Sequence, residues 1–224
     1  MCARFAFLNV QAMLTGFEAA LLPEFEASYN VAPTDYSLVV RVLEGKRHFW
    51  PMRWGLIPSW AKDEAIGVKC INARSETITE KPSFRGAVKY RRCIVPANGF
   101  YEWQGEKGFK QPYFIHRADG AMLAMAGLHE EWESPAGTLE TFTIVTTDAN
   151  REMSNIHTRM PVVLEARDFG MWLDPGLTDA DRLWGLMQPA RDGTLAMYPV
   201  GKAVGNPRND GPEMMERVPG STLF

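Results

Sequence analysis

Apolar and β-branched positions run from Tyr36 to Leu43, break at Glu44-Gly45, and resume from Arg47 to Arg53, which predicts two antiparallel strands joined by a tight turn. Thr15 followed three residues later by Glu18 reads as a capping box, opening a short helix that ends near Pro23. Trp54 to Trp60 contains Gly55 and Pro58 and fits no regular element, so a structured loop is expected there. Pro82 stands at a plausible first helical position and starts a helix through about Tyr90, followed by strands at Cys93 to Pro96 and Phe100 to Gln104. Pro112 to His116 and Met122 to Leu128 flank Asp119-Gly120, a second hairpin signal. Phe142 to Thr147 reads as a buried strand, Val162 to Leu164 as a short one, and Asp179 to Met187 as a helix. From about residue 206 the Asn, Asp, Gly and Pro content predicts a loosely held tail. The sum is a single α+β domain over 1–224, mainly antiparallel β-sheet and barrel-like, with several short helices.

Composition narrows this only slightly. With 46% hydrophobic and 23% charged residues in 224, the chain can bury a core, and no biased tract suggests disorder. No segment approaches the roughly 18 to 20 apolar residues of a membrane crossing, so a cytoplasmic protein is expected. The net charge of −3 hides an asymmetry: residues 41–92 hold twelve Lys and Arg against five acids, and residues 118–200 hold five Arg against thirteen acids. A polyanion fits the basic half, where Trp54, Trp60 and Trp103 offer stacking platforms for unpaired bases. Lys81, Arg85 and Lys89 are equally readable as the solvated face of a helix, and the Trp residues as core.

Three cysteines point to free thiols. Cys70 and Cys93 have no second Cys or His at ligand spacing, so they read as core and no metal or cofactor is expected. Cys2 differs, because loss of Met1 would leave a 1,2-aminothiol. Its amine can act as a base or as a nucleophile toward carbonyls, and its thiol can trap an imine as a five-membered thiazolidine. A buried thiol of no consequence is the alternative. Three clusters could serve such a nucleophile: Asn72-Ala73-Arg74-Ser75-Glu76, with an amide and a guanidinium suited to sugar hydroxyl and phosphate; Asn98 to Trp103, with Glu102 between two aromatics where desolvation suits it to acid/base work; and His157 to Pro161, with an imidazole beside Arg159.

These blocks, with Met1-Cys2-Ala3-Arg4-Phe5, Tyr29 to Thr34 and Arg53 to Trp60, resemble the SOS response-associated peptidase (SRAP) family of abasic-site processing proteins. The resemblance implies a single-domain protein that binds single-stranded DNA and captures abasic sites covalently through Cys2 after self-removal of Met1, with strand-cleaving lyase chemistry as a side activity; no obligate protein partner is evident, and a monomer is expected. It implies that Asn72 and His157 position the opened sugar, that His157 protonates O4′, and that Glu102 handles protons. Arg4, Arg74 and Arg159 become phosphate ligands, and Pro33 with Trp103 a wedge against the flanking bases, with Trp60 a further DNA contact. The family usually has Gly where this chain has Ala3. An N-terminal-nucleophile cysteine peptidase and a non-covalent DNA reader are the competing readings. Association with the nucleoid is expected when damaged DNA is bound.

Overall fold

The structure, a computed structural model, describes residues 2–8, 16–20, 25–106 and 108–219. Of the helix expected from Thr15 to about Pro23, residues 16–20 are described: only Gly16 and Phe17 are helical, because Glu18 turns the chain at φ 49° and Ala20 bridges to His48, while 15 and 21–23 lie outside the described residues.

The first hairpin forms as expected, from β3 (Tyr36–Leu43) and β4 (Lys46–Trp54). Both of its turn residues have positive φ, 50° at Glu44 and 76° at Gly45, the conformation whose twist matches the flanking strands. β6 (Arg92–Ala97) pairs with β3 and with β9 (Leu123–Ser134), which forms a long hairpin with β10 (Gly137–Asp148). β10 in turn lies parallel to the end of β4, through Thr141 opposite Arg53 and Phe142 opposite Trp54. Five strands thus close into a ring, which leaves them no open edge. Leu38, Val40, Met52, Trp54, Ile94, Leu128, Phe142 and Ile144 belong to its buried cluster, together with Cys70 and Cys93.

A second, all-antiparallel sheet carries β1 (Phe5–Phe7), β2 (Ser28–Val31), β7 (Gly99–Gln104), β8 (Gln111–Arg117) and β12 (Leu195–Pro199) in the order β12-β8-β7-β1-β2. Phe5, Phe7 and Phe100 face the main core, whereas Ala6, Tyr101 and Phe114 build a smaller cluster on the other side. Gly99 is needed where β7 crosses β8, because a Cβ there would sit 2.3 Å from the Phe114 ring.

Three expectations change. Asp119-Gly120 turns the chain but makes no hairpin: β8 and β9 join different sheets, and Arg117 Nη2 pins Asp119 Oδ2 at 2.7 Å while also pairing with Glu165. The helix predicted from Pro82 begins only at Ala87 and ends at Tyr90, preceded by turns whose last residue, Gly86, is a poor helix former. The segment after 206 is held through most of its length. Asn30 Nδ2, from β2, donates to the carbonyls of Val204, Asn206 and Asn209, and Met214 is buried in the smaller cluster. By contrast, the helix expected from Asp179 forms at Ala180–Leu186, with the Asp179 side chain capping Arg182 N.

Candidate active site

β10 organises the site. Its Ile144–Thr146 stretch pairs in parallel with β5 (Asn72–Arg74), and its Thr146–Asp148 stretch pairs with β11 (Arg159–Pro161) on the opposite edge. The Asn72 and His157 clusters, separated by 85 positions in sequence, therefore flank one short length of strand. From the other sheet, Arg4 continues the path of β1 beside β7, its carbonyl accepting from Tyr101 N at 2.9 Å. This brings Cys2 to the same place, where Asn72 Nδ2 donates to the Cys2 carbonyl at 2.8 Å. Beneath them Trp54 packs against Phe5 and Phe142, and its indole N–H donates to Ile71 O at 2.8 Å, locking β5 to the barrel.

Side-chain alternation along β7 places Glu102 on the face of Phe100 and opposite to Tyr101 and Trp103. The carboxylate does not lie between its two aromatic neighbours; its company is Cys2 and His157, both of which feel its charge. Glu102 is 4% exposed, and its Oε1 accepts from Trp103 N. Cys2 is 1% exposed, and burial, reinforced by Glu102, pushes its thiol up to about 12, so the sulfur rests protonated. His157 is half-buried, and burial holds its proton affinity below the ordinary value against the opposing pull of Glu102. Its Nδ1 accepts from Arg159 N at 3.0 Å, which assigns the proton of the neutral ring to Nε2. Together these groups supply a proton donor, a buried carboxylate and a thiol around the start of the chain.

The surrounding residues separate into classes. Arg74 is exposed, and its side chain has no hydrogen bond or ion pair among the described residues. Arg4 is half-buried, donating to Ala3 O and Gly205 O, and burial lowers its proton affinity. Arg159 is held internally: its guanidinium grips both Glu76 oxygens at 2.7 and 2.9 Å, Asp148 at 2.8 Å and Thr146 O at 2.8 Å. Pro33 occupies the second position of the Ala32–Asp35 turn, in which Asp35 N donates to Ala32 O and Thr34 has φ 80°. Trp60 is exposed beside Lys62 and Lys69, and half-buried Trp103 packs on the smaller cluster. Ala3 is not among the described non-glycine residues with positive φ, so its Cβ brings no backbone strain.

Sequence reasoning missed the part played by the C-terminal segment, whose Gly205 carbonyl engages Arg4. Its signal was the buried amide of Asn30, a polar residue in β2 that requires partners. Among the described residues no group of His, Cys, Asp and Glu is placed to hold a metal ion.

Residues 1–207 match the SOS response associated peptidase family. The chain is 43% identical over 222 residues to the abasic site processing protein YoqW of Bacillus subtilis (strain 168), covering 96% of this chain and 99% of that one. It is 34% identical over 227 residues to the abasic site processing protein HMCES of Xenopus tropicalis, covering 87% of this chain and 67% of that one. A crystal structure of a Bacteroides thetaiotaomicron protein superposes with a TM-score of 0.82 at 28% identity, covering 96% and 99% of the two chains. On sequence and fold together, the chain belongs to the SOS response associated peptidase (SRAP) family.

Proposed function

We propose that the protein captures abasic sites in single-stranded DNA as a thiazolidine crosslink on Cys2, after hydrolysis of the Met1–Cys2 peptide bond frees the α-amine. The observation that carries this reading is the Asn72 bond to the Cys2 carbonyl, which fixes the N-terminal backbone beside Glu102 and His157. YoqW and HMCES are both named for processing abasic sites, which supports the same substrate. Exposed Arg74 beside Asn72 suits a phosphate next to the captured sugar, and Arg4 would join it after exchanging its carbonyl partners. Pro33 and Trp103 serve as the wedge, and Trp60 as an outlying contact. Arg159 contributes to this ligand set only as far as Glu76 and Asp148 release it.

His157 Nε2–H gives its proton to O4′ as the C1′–O4′ bond breaks, and Glu102 accepts the proton of the C1′ hydroxyl, leaving the aldehyde. The Cys2 amine adds to C1′, and loss of water gives the imine. The thiol then adds across the C=N bond, sulfur to carbon and proton to nitrogen, so aldehyde and aminothiol yield thiazolidine and one water. A thiol that rests protonated suits this order: it leaves the first attack to the amine and carries the proton the ring nitrogen needs. Ring closure removes the imine that would otherwise draw electrons for β-elimination, so strand cleavage is the slow side path.

The test uses single-stranded DNA with one uracil, before and after uracil excision. A band that survives denaturation, forms only on excised DNA and disappears in Cys2→Ala is expected. Its absence from the wild type would refute the proposal. A peptidase would form no DNA adduct, and a non-covalent reader would bind without one. Intact mass should show the chain without Met1.

A further inference from the structure

β7 and β8 are joined by a loop whose described residues are 105–106 and 108–110. Phe109 is 87% exposed, its N–H donates to Glu106 O at 3.0 Å, and Gly105 has φ 100°. A Cβ on Gly105 would lie 3.0 Å from Phe109 O. Trp103, Gly108, Lys110, Pro112 and Lys202 line one open cavity of about 330 Å³, whose described lining carries two ammonium groups and no carboxylate. Lys110 and Lys202 are exposed and have no hydrogen bond or ion pair among the described residues. Contacts on two sides tie these residues to the site. Gln104 Nε2 ties the hairpin to Asn155 O, two residues before His157, and Lys110 is close enough to lower the proton affinity of His157. Lys202 opens the turn whose Gly205 carbonyl engages Arg4.

We propose that Phe109, Lys110 and Lys202 form a second nucleotide subsite on the outer side of Trp103, taking an unpaired base and its phosphate from the strand next to the captured sugar. This rests on the reading of single-stranded DNA as the ligand. Paired ammoniums select a phosphate, and the exposed ring of Phe109, which in sequence lies between the cavity-lining Gly108 and Lys110, gives a base a surface on which to stack. The cavity is near the lower limit of small-molecule sites, the scale of one nucleotide. Glu106, the acidic residue of the loop, is exposed and does not line it.

The test is fluorescence anisotropy with a labelled single strand carrying a central tetrahydrofuran residue, which has no aldehyde and cannot crosslink. Phe109→Ala should raise Kd about fivefold or more with little change in salt dependence, as loss of one base–aromatic stack requires. Lys110→Gln with Lys202→Gln should lower the slope of log affinity against log salt by about 0.7, the value for one phosphate contact on a single strand. Trimming the strand on one side of the tetrahydrofuran should erase the difference between wild type and variants, and trimming the other side should preserve it. Wild-type Kd and slope in both variants would overturn the subsite while leaving Cys2 capture standing, as read from wild-type crosslinking to excised DNA. A wild-type protein that binds no single strand would overturn both.

Discussion

The side-chain amide of Asn72 is bonded to the main-chain carbonyl of Cys2, so the strand that flanks one edge of β10 also sets the position of the proposed nucleophile. Asn72 Oδ1 is buried without a hydrogen-bond partner among the described residues, which leaves an acceptor for the amine or the sugar. Asn72→Leu removes both functions. Its stability should fall by about 1 kcal/mol, the net value of one hydrogen bond. Crosslink formation should slow by between roughly tenfold and a hundredfold, the consequence of a misplaced reactant. Denaturing-gel time courses beside chemical unfolding curves measure the two effects separately, and an unchanged rate would remove Asn72 from the mechanism.

Arg74 and Arg159 are expected to respond differently although both sit beside the site. Arg74 has no internal partner, so Arg74→Ala should reduce the salt slope of single-strand binding by about 0.7 and leave Tm unchanged. Arg159 is largely buried and bidentate on Glu76, and although burial raises the proton affinity of Glu76, the hydrogen bonds and charge of Arg159, with bonds from the Glu76 backbone and Ser75, together hold that carboxyl below its ordinary value. Arg159→Ala should therefore destabilise the fold by about 1 to 3 kcal/mol through the unpaired carboxylate it leaves. Equal Tm values for the two variants would contradict this division.

Cys2→Ser separates the amine from the sulfur. The amine still forms an imine with the aldehyde, but the hydroxyl is a poorer trap than the thiol. The expected result is an adduct that needs borohydride reduction to survive denaturation, with more strand cleavage than the wild type gives. A stable adduct without reduction would show that sulfur is dispensable.

The parts of the fold that were legible in sequence are those whose local chemistry agrees with their tertiary setting. Glu44-Gly45 adopts the turn its residues favour, and Asp179 caps the helix it precedes. Asp119-Gly120 misled because a turn signal carries no information about partners: Arg117 bonds to Asp119 and to Glu165, 48 positions away, and the strands diverge. The tail from 206 looked loose because its anchor, Asn30, lies far upstream. At the site, residue types were readable and partners were not. Glu102 lies between aromatics in sequence, yet alternation in β7 turns it toward Cys2 and His157. The clamping of Arg159 by Glu76 and Asp148 needed β5, β10 and β11 in register.

Thr34 stores strain beside the proposed wedge. Its φ of 80° occupies the turn position that favours glycine, and a β-branched side chain is poorly suited to it. The surrounding bonds enforce the geometry: Thr34 N donates to Trp54 O, and Ala32 N to Asp35 Oδ2. Thr34→Gly should raise stability by about 1 kcal/mol or more by releasing that strain. Freed backbone at this turn should loosen Pro33 and weaken single-strand binding, so Tm and Kd should both rise. A lower Tm would show that the threonine side chain supports the turn instead of straining it.

Acid stability should be governed largely by a histidine outside the site. His129 is 9% exposed, and burial, with Arg41 and Arg91 adding to it, lowers its pKa from 6.5 to about 3. Arg41 is paired with Glu140 and Arg91 with Glu130, so both guanidiniums are fixed in place next to the ring. In the unfolded chain the imidazole binds a proton below about 6.5, while in the folded chain it stays neutral down to about 3. The unfolded state therefore holds the extra proton across that window, and the stabilisation present above pH 6.5 is lost as pH falls, by about 1.4 kcal/mol per unit. His157, whose proton affinity burial also lowers, adds a contribution of the same sign. Chemical unfolding between pH 7 and pH 4 should show this slope in the wild type. In His129→Gln the slope should shrink by about one proton, leaving the share of His157 and the carboxylates. An equal slope in the variant would mean that His129 takes up its proton in the folded state.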